Sequence, residues 1–157
     1  IEMNCELNGM KIKYEDGKLW SWRELKSKPS YWREIKACSN KNDKYKRVTI
    51  NYKTFLFHRV VYFIHNPDWD IQDISVDNHI DHIDRDRLNN SIENLRVVTN
   101  QQNCFNQNCK GYSFHKRVEK YSAQIRVNRK PINLGYFANE EDARQAYLEA
   151  KKIYHPM

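Results

Sequence analysis

Short runs of alternating apolar and polar residues fill the first third of the chain. Lys11–Tyr14, Lys18–Trp22, Tyr31–Lys36 and Arg47–Tyr52 follow this alternation, which is typical of strands whose two faces meet different surroundings. Glu15–Gly17 separates the first two runs and is a turn signal. We therefore predict a small antiparallel sheet in this region.

The aromatic residues of these runs allow two interpretations. They form the core of the sheet, which is the commoner case, or some of them stack on nucleic-acid bases, because Lys and Arg are interleaved with them. The aromatics in question are Tyr14, Trp20, Trp22, Tyr31 and Trp32. The sequence leaves both interpretations open.

A compact apolar run follows at His58–His65 and predicts a helix. Val60 and Val61 give it a strongly apolar side. Asn66 stands before a proline, a position that disfavours the helical conformation, so we expect the helix to end there. We interpret His58 as structural.

The stretch from Asp77 to Asn103 concentrates acids, histidines and asparagines. Val76 and His79–Ile83 predict a strand that enters a tight turn, and Asp84–Arg87 predicts a polar loop. Asn90 is then the expected N-cap of a helix, because Glu93 follows at the capping-box spacing. The predicted order is strand, loop, helix.

Four residues of this stretch have the chemistry of a metal-dependent hydrolytic site. Asp81 offers a carboxylate oxygen, the kind of ligand that Mg²⁺ prefers, and His82 has a pKa suited to accepting a proton near neutral pH. Asn103 offers a carbonyl oxygen to the metal, and Asn94 is placed to bond the chain that carries His82. Taken singly, such residues are usually solvated turns and caps, so the joint spacing carries the hypothesis.

A second unit is predicted from residue 111 onward. Tyr112–Val118, Tyr121–Asn128 and Pro131–Phe137 alternate as three strands. A helix follows at once, with Asn139 as its expected N-cap and acidic residues in its first turn. The amide-rich stretch before this unit has no periodicity, and we interpret it as a linker.

The charge of the three-strand segment favours a polyanionic partner. Residues 111–134 hold six basic side chains against Glu119 alone, and a basic sheet face is what a module that contacts phosphates requires. The predicted DNA-binding residues are Lys116, Arg117, Lys120, Gln124, Arg126, Arg129 and Lys130. The alternative is a soluble sheet with a basic surface.

Composition narrows the class of protein. The 157 residues carry a net charge of +7, which suggests a polyanionic partner. The chain has no apolar run long enough for a membrane span and no signal-peptide pattern, so we expect the cytoplasm, nucleoid or nucleus of a host cell. The cysteines include no C-x-x-C pair, and we interpret them as ordinary thiols.

The spacing D-H-x11-N-x8-N resembles the HNH endonuclease family, whose ββα-metal motif cuts nucleic acid. The wider text VDNHIDHIDRDRLNNSIENLRVVTNQQN resembles its phage and intron-homing branch. The resemblance implies that His82 is the general base, that Asp81 and Asn103 bind the metal, and that Asn94 orients the base. Many members carry His at the last position, and Asn103 there favours Mg²⁺ or Mn²⁺ over zinc.

The text GYSFHKRVEKYSAQIRVNRKPINLGYFANEEDARQAYLEAKKIY resembles the APETALA-type DNA-binding domain of plant ethylene-response factors. That resemblance implies a three-stranded sheet, backed by one helix, that lies in the DNA major groove. Tyr121 stands where the family usually has Trp, so the plant domain's sequence preference is not carried over.

We therefore predict an α+β protein in which a small antiparallel sheet leads into a ββα-metal HNH motif. A three-stranded antiparallel sheet packed on one helix follows it. The predicted boundaries are residues 1–103 for the N-terminal sheet and nuclease domain (motif 76–103), 104–110 for the linker, and 111–157 for the DNA-binding domain.

The predicted function is metal-dependent hydrolysis of phosphodiester bonds in double-stranded DNA, of the homing type. A monomer with one such site nicks, and cutting both strands requires a homodimer or two binding events. The sequence leaves this choice open. The alternative is a non-catalytic, sequence-specific DNA-binding protein on a decayed nuclease fold. A third interpretation is an RNA-directed binder or nuclease. The APETALA-like half disfavours it, because its sheet fits the DNA major groove whereas the major groove of A-form RNA is inaccessible.

Overall fold

The computed structural model describes residues 3–39 and 44–156. The chain forms two compact units, residues 1–100 and residues 101–157. Among the helices of the described ranges, none combines the length and apolar character that crossing a bilayer requires.

The first unit begins with a four-stranded antiparallel sheet in which neighbours in sequence are neighbours in space. Its strands are β1 (Asn4–Leu7), β2 (Met10–Glu15), β3 (Lys18–Arg23) and β4 (Tyr31–Ile35). Two hairpins and a helix follow: β5 (Arg47–Ile50) with β6 (Lys53–Leu56), then α1 (Phe57–His65), then β7 (His79–His82) with β8 (Leu95–Val98).

Two asparagines in tight turns tie the β5–β6 hairpin to the sheet. Asn8, in the β1–β2 turn, donates from Nδ2 to the carbonyls of Ile50 and Asn51, at 2.9 Å each. Asn51 donates back to the carbonyl of Asn8 at 3.0 Å. Both residues adopt positive φ, 52° for Asn8 and 45° for Asn51, a conformation that asparagine tolerates better than most residues.

One apolar core holds these elements together. Residues from the sheet, the β5–β6 hairpin, α1 and the β7–β8 hairpin all contribute to it. The fully buried members are Ile12, Leu19, Val48, Ile50, Val60 and Val61. The site-bearing β7–β8 hairpin joins this core through Ile80 and Leu95, so its position is set by packing.

Arg59 of α1 orders the chain that leads into β7. Its guanidinium donates to the carbonyls of Asn78 and Ile71, both at 2.9 Å, and of Asp73 at 2.7 Å. It also lies over the ring of Trp69, with 4.6 Å from Cζ to the ring centroid. One side chain therefore fixes the path from α1 to β7.

The second unit is a three-stranded antiparallel sheet with one helix packed on it. Its elements are β9 (Tyr112–His115), β10 (Lys120–Val127), β11 (Lys130–Phe137) and α3 (Glu140–Tyr154), and β10 is the central strand. Asn139 caps α3, because its side chain accepts from the Asp142 backbone at 2.9 Å. Ile125, Tyr147 and Ala150 form the core between sheet and helix.

The predicted α+β class is confirmed, with small antiparallel sheets in both halves and a helix on the second sheet. One local prediction is wrong. Asn90 does not cap a helix: a 3₁₀ turn spans Ile92–Asn94, and β8 follows at once. Helix α2 begins only at Asn100 and ends at Phe105.

The stretch 104–110, predicted as a linker, is held by α3. Arg144 donates to the carbonyls of Cys109 and Lys110, the latter at 2.8 Å. Lys151 donates to the carbonyl of Gln107 at 3.1 Å. These residues therefore form part of the second unit, while the predicted functions of the two domains stay predictions.

Candidate active site

His82 is the last residue of β7, and its side chain is buried. Its Nε2 lies 3.0 Å from Oδ1 of Asn90. An amide oxygen only accepts hydrogen bonds, so Nε2 carries the hydrogen and the lone pair of the neutral ring belongs to Nδ1. Asn90 therefore fixes both the orientation and the tautomer of His82.

Two further rings surround His82. The ring of His58 meets it edge to face with centroids 5.0 Å apart, and Tyr45 lies 5.3 Å from His58 and 6.2 Å from His82. Burial, helped by the nearby His82 and Arg59, lowers the pKa of His58 to about 3. His58 is thus neutral at neutral pH and packs against His82 without adding charge.

A cation lies over Tyr45, at the outer edge of the cluster formed by the rings of His82, His58 and Tyr45. The guanidinium of Arg87, from the loop after β7, sits over Tyr45 with 4.9 Å from Cζ to the ring centroid. Arg87 is exposed to solvent. The arrangement holds a positive charge next to an aromatic residue that itself flanks His82.

Asp81 precedes His82 on β7 and makes an ion pair with Arg96. Oδ2 of Asp81 accepts from Nε and Nη2 of Arg96, at 3.1 and 2.9 Å. The two residues are direct partners in the β7–β8 ladder. Since successive side chains of a paired strand point to opposite sides, Asp81 and His82 flank the end of β7 on different faces. Arg96 compensates the charge of the buried carboxylate and fixes its orientation.

Asn94 closes the loop that follows His82. Its backbone carbonyl accepts from Ile83 at 2.9 Å, and its Oδ1 accepts from the backbone of Asp84 at 3.0 Å. Its Nδ2 donates to Asp84 Oδ1 at 2.9 Å and to the carbonyl of Asn89 at 2.8 Å. Asn94 therefore bonds the chain directly after His82. A hydrogen bond from Asn89, then one from the Asp86 backbone, lowers the pKa of Asp84.

Asn103 lies on α2 and is half-buried. It falls in the second of the two compact units. Its role as a second metal ligand beside Asp81 remains a prediction from the sequence.

The seven predicted DNA-binding residues are all exposed. Gln124 and Arg126 lie on the face of β10 opposite Ala123 and Ile125, which are buried. The others occupy the ends of the strands and their turns: Lys116, Arg117, Lys120, Arg129 and Lys130. The sheet thus has one apolar face under α3, and Gln124 and Arg126 lie on the opposite, exposed face.

Sequence reasoning missed Asn90 and Arg96 as parts of this site. The spacing from Asn90 to Glu93 predicts a helix cap, and no periodic signal links Asn90 to His82. Arg96 is the ladder partner of Asp81. A prediction of strand rather than helix over Leu95–Val98 would have found it.

Residues 55–104 match the family model described as HNH endonuclease. The chain is also similar to an uncharacterized HNH endonuclease of Acanthamoeba polyphaga mimivirus, with 37% identity over 87 residues. That match covers 52% of this chain and 46% of the viral protein, so the chain spans about half the length of that relative. No solved structure matches.

These comparisons support a nuclease. The matched segment begins before α1 and includes Asp81, His82, Asn94 and Asn103. The resemblance of residues 111–157 to an APETALA-type domain stays a prediction.

Proposed function

We propose that this protein is a metal-dependent endonuclease that hydrolyses phosphodiester bonds of double-stranded DNA. The observation that carries the proposal is the hydrogen bond between Asn90 and His82. It holds a buried imidazole in one tautomer at the end of β7, where Asp81 is the preceding residue of the same strand. A fixed neutral imidazole is the form that a general base requires.

His82 is the proposed base. Its Nδ1 takes a proton from the water that attacks the phosphorus atom, while Asn90 holds Nε2 and keeps the ring oriented. The packing of the neutral His58 on the ring limits its movement. By family resemblance, the products carry a 5′ phosphate and a 3′ hydroxyl.

Asp81 is the proposed carboxylate ligand of a single Mg²⁺ or Mn²⁺. When bound, this ion supplies positive charge that stabilises the developing charge on the phosphate and on the leaving 3′ oxygen. The donors fit such an ion, because Mg²⁺ is commonly held by one or two carboxylates together with phosphate oxygens and water. Within residues 3–39 and 44–156, no three His, Cys, Asp or Glu side chains lie together as candidate metal ligands.

The basic face of the β9–β11 sheet is the proposed DNA-binding surface. Its support is the exposure of all seven predicted residues, with Gln124 and Arg126 on the face of β10 opposite the buried Ala123 and Ile125. Positive side chains on an open sheet suit contacts with phosphate oxygens. In this proposal the second unit binds the duplex and the first unit cuts it.

The test is cleavage of supercoiled plasmid and of a random-sequence duplex library by the full chain, with Mg²⁺, Mn²⁺ or EDTA. We expect metal-dependent nicks that fall roughly 100-fold or more in His82→Ala, the scale of a lost general base. His65→Ala is the matched control, since His65 bonds the carbonyl of Val61 inside α1, and we expect it to cut at the wild-type rate.

Equal cleavage by wild type and His82→Ala would overturn the assignment of the base. If the wild-type chain binds duplex DNA but leaves the whole library uncut with either metal, the non-catalytic DNA-binding alternative replaces the nuclease.

A further inference from the structure

A cleft of about 550 Å³ opens between the four-stranded sheet and the β5–β6 hairpin. Ser21 and Arg33 are direct partners in the β3–β4 ladder, and Arg23 lies two residues further along β3. These three side chains therefore share one face of the sheet. Lys36 follows β4, and Thr49 and Tyr52 contribute from the hairpin.

The charged side chains that line this cleft are mostly positive. Arg23, Arg33 and Lys36 line it, and the only carboxylate among the described lining residues is that of Glu34. Glu34 forms an ion pair with Lys18 at 3.4 Å and pairs with Trp20 in the ladder, on the opposite face from Ser21. Among the described lining residues, three cations and no carboxylate therefore lie on the side of the sheet that faces the cleft.

Arg23 has an unsatisfied donor at this place. Its Nε is buried and has no hydrogen-bond partner among the described residues. A buried donor without an acceptor costs free energy, and native proteins rarely leave one. Arg23 is thus a lining residue of the cleft at which the described structure leaves a buried donor unpaired.

The walls of the cleft are fixed to each other. Asn8 and Asn51 exchange hydrogen bonds between the sheet and the hairpin. Cys38 and Arg47 exchange two backbone hydrogen bonds, at 2.9 and 2.8 Å, which join the chain after β4 to β5. The cations are therefore presented on a preformed surface.

Tyr52 stands at the edge of the cleft in an unfavourable setting. Its side chain is 99% exposed, and its φ of 68° lies in the left-handed region that favours glycine. Both the exposure of the aromatic ring and the strained backbone cost free energy. This combination suggests that Tyr52 has a role in binding.

We propose that this cleft binds the phosphodiester backbone of the DNA duplex, with Tyr52 packing on a sugar or base beside the bound phosphate. The inference rests on the proposed function, because it takes DNA as the substrate. It adds a second DNA contact in the first unit, apart from the basic sheet of the second unit. Arg23, Arg33 and Lys36 are contacts to phosphate, so the cleft contributes affinity without sequence preference.

The experiment measures binding of the full chain to a labelled duplex in EDTA at several salt concentrations. The variants are Arg33→Gln, Lys36→Gln and Tyr52→Gly. We expect each charge variant to bind roughly 3- to 10-fold more weakly, to any duplex sequence, and to reduce the salt slope by about one. Lys11→Gln is the matched control, because Lys11 extends from the opposite face of the same sheet, and we expect wild-type binding.

Tyr52→Gly separates stacking from charge. We expect weaker binding with an unchanged salt slope, and a Tm that is not lowered because glycine adopts positive φ without strain. Wild-type affinity and salt slope in both charge variants would overturn the inference, as would an equal loss in Lys11→Gln. If the wild-type chain cuts DNA while the cleft variants bind normally, only the cleft is refuted. A wild-type chain that binds no duplex refutes the proposed function as well.

Discussion

At the scale of single residues, the hydrogen bond to Asn90 decides which nitrogen of His82 carries the hydrogen. Replacement by Ala removes the acceptor 3.0 Å from Nε2, so the bond that orients the ring and favours one tautomer is lost. We expect Asn90→Ala to lower the cleavage rate about 10- to 100-fold, within the range for a lost orienting partner, with unchanged affinity for DNA. Single-turnover kinetics beside binding in EDTA measure the two quantities.

Asn90→Asp is the conservative counterpart, because it keeps an oxygen acceptor. We expect it to cut faster than Asn90→Ala. Equal rates for the wild type and Asn90→Ala would show that the bond to Asn90 has no part in orienting the base.

His58 makes the stability of the first unit depend on pH. Its pKa falls from 6.5 to about 3 on folding, so the unfolded chain binds the proton more tightly. The contribution of neutral His58 to the free energy of unfolding is fully present above about pH 6.5. It is lost as the pH falls toward 3, at up to about 1.4 kcal/mol per pH unit. We expect Tm to fall between pH 7 and 5, and to fall less steeply in His58→Phe. Parallel slopes in the two proteins would contradict this account.

At the scale of elements, Gly111 allows the chain to pass close to α3 before β9 begins. A Cβ built there would lie 2.0 Å from Cγ of Tyr147, and φ is +76°. We expect Gly111→Ala to destabilise the second unit by about 2–4 kcal/mol, the range for overpacking combined with backbone strain.

Gly17→Ala is the matched control for this prediction. Gly17 has nearly the same φ, +74°, with nothing within 4 Å of its added Cβ, so it carries only the backbone penalty of about 1 kcal/mol. Thermal or urea unfolding of both variants measures the difference. Equal losses of stability would show that the contact with Tyr147 relaxes without cost.

The elements themselves were largely predictable where local periodicity and long-range packing agree. Alternation predicted β2, β3 and the strands of the second unit, and the apolar run with its following proline predicted α1. The predicted helix after Asn90 is wrong because a capping-box spacing is a purely local pattern. Leu95 and Val98 are the buried ends of a strand that pairs with β7, and this tertiary contact overrides the local signal. The pairing of Asn90 with His82 depends on a loop conformation that has no period to detect.

At the scale of the whole molecule, the basic residues behind the net charge of +7 are not expected to contribute equally to DNA binding. Arg126 lies on the open face of β10, whereas Lys152 lies exposed on α3. We expect Arg126→Gln to bind duplex DNA more weakly and to lower the salt slope by about one, while cutting at the wild-type rate when DNA is saturating. We expect Lys152→Gln to match the wild type in both measurements. Equal effects of the two substitutions would indicate general electrostatic attraction rather than a defined DNA-binding face.

The reciprocal hydrogen bonds between Asn8 and Asn51 constrain how the sequence of this protein evolves. The two residues are 43 positions apart, yet each satisfies the backbone of the other's turn. Replacing one alone leaves the other turn with unpaired groups, so single replacements are disfavoured and paired replacements are tolerated. Among descendants of this chain we therefore expect the two turns to covary, although neither touches the candidate active site's ring cluster.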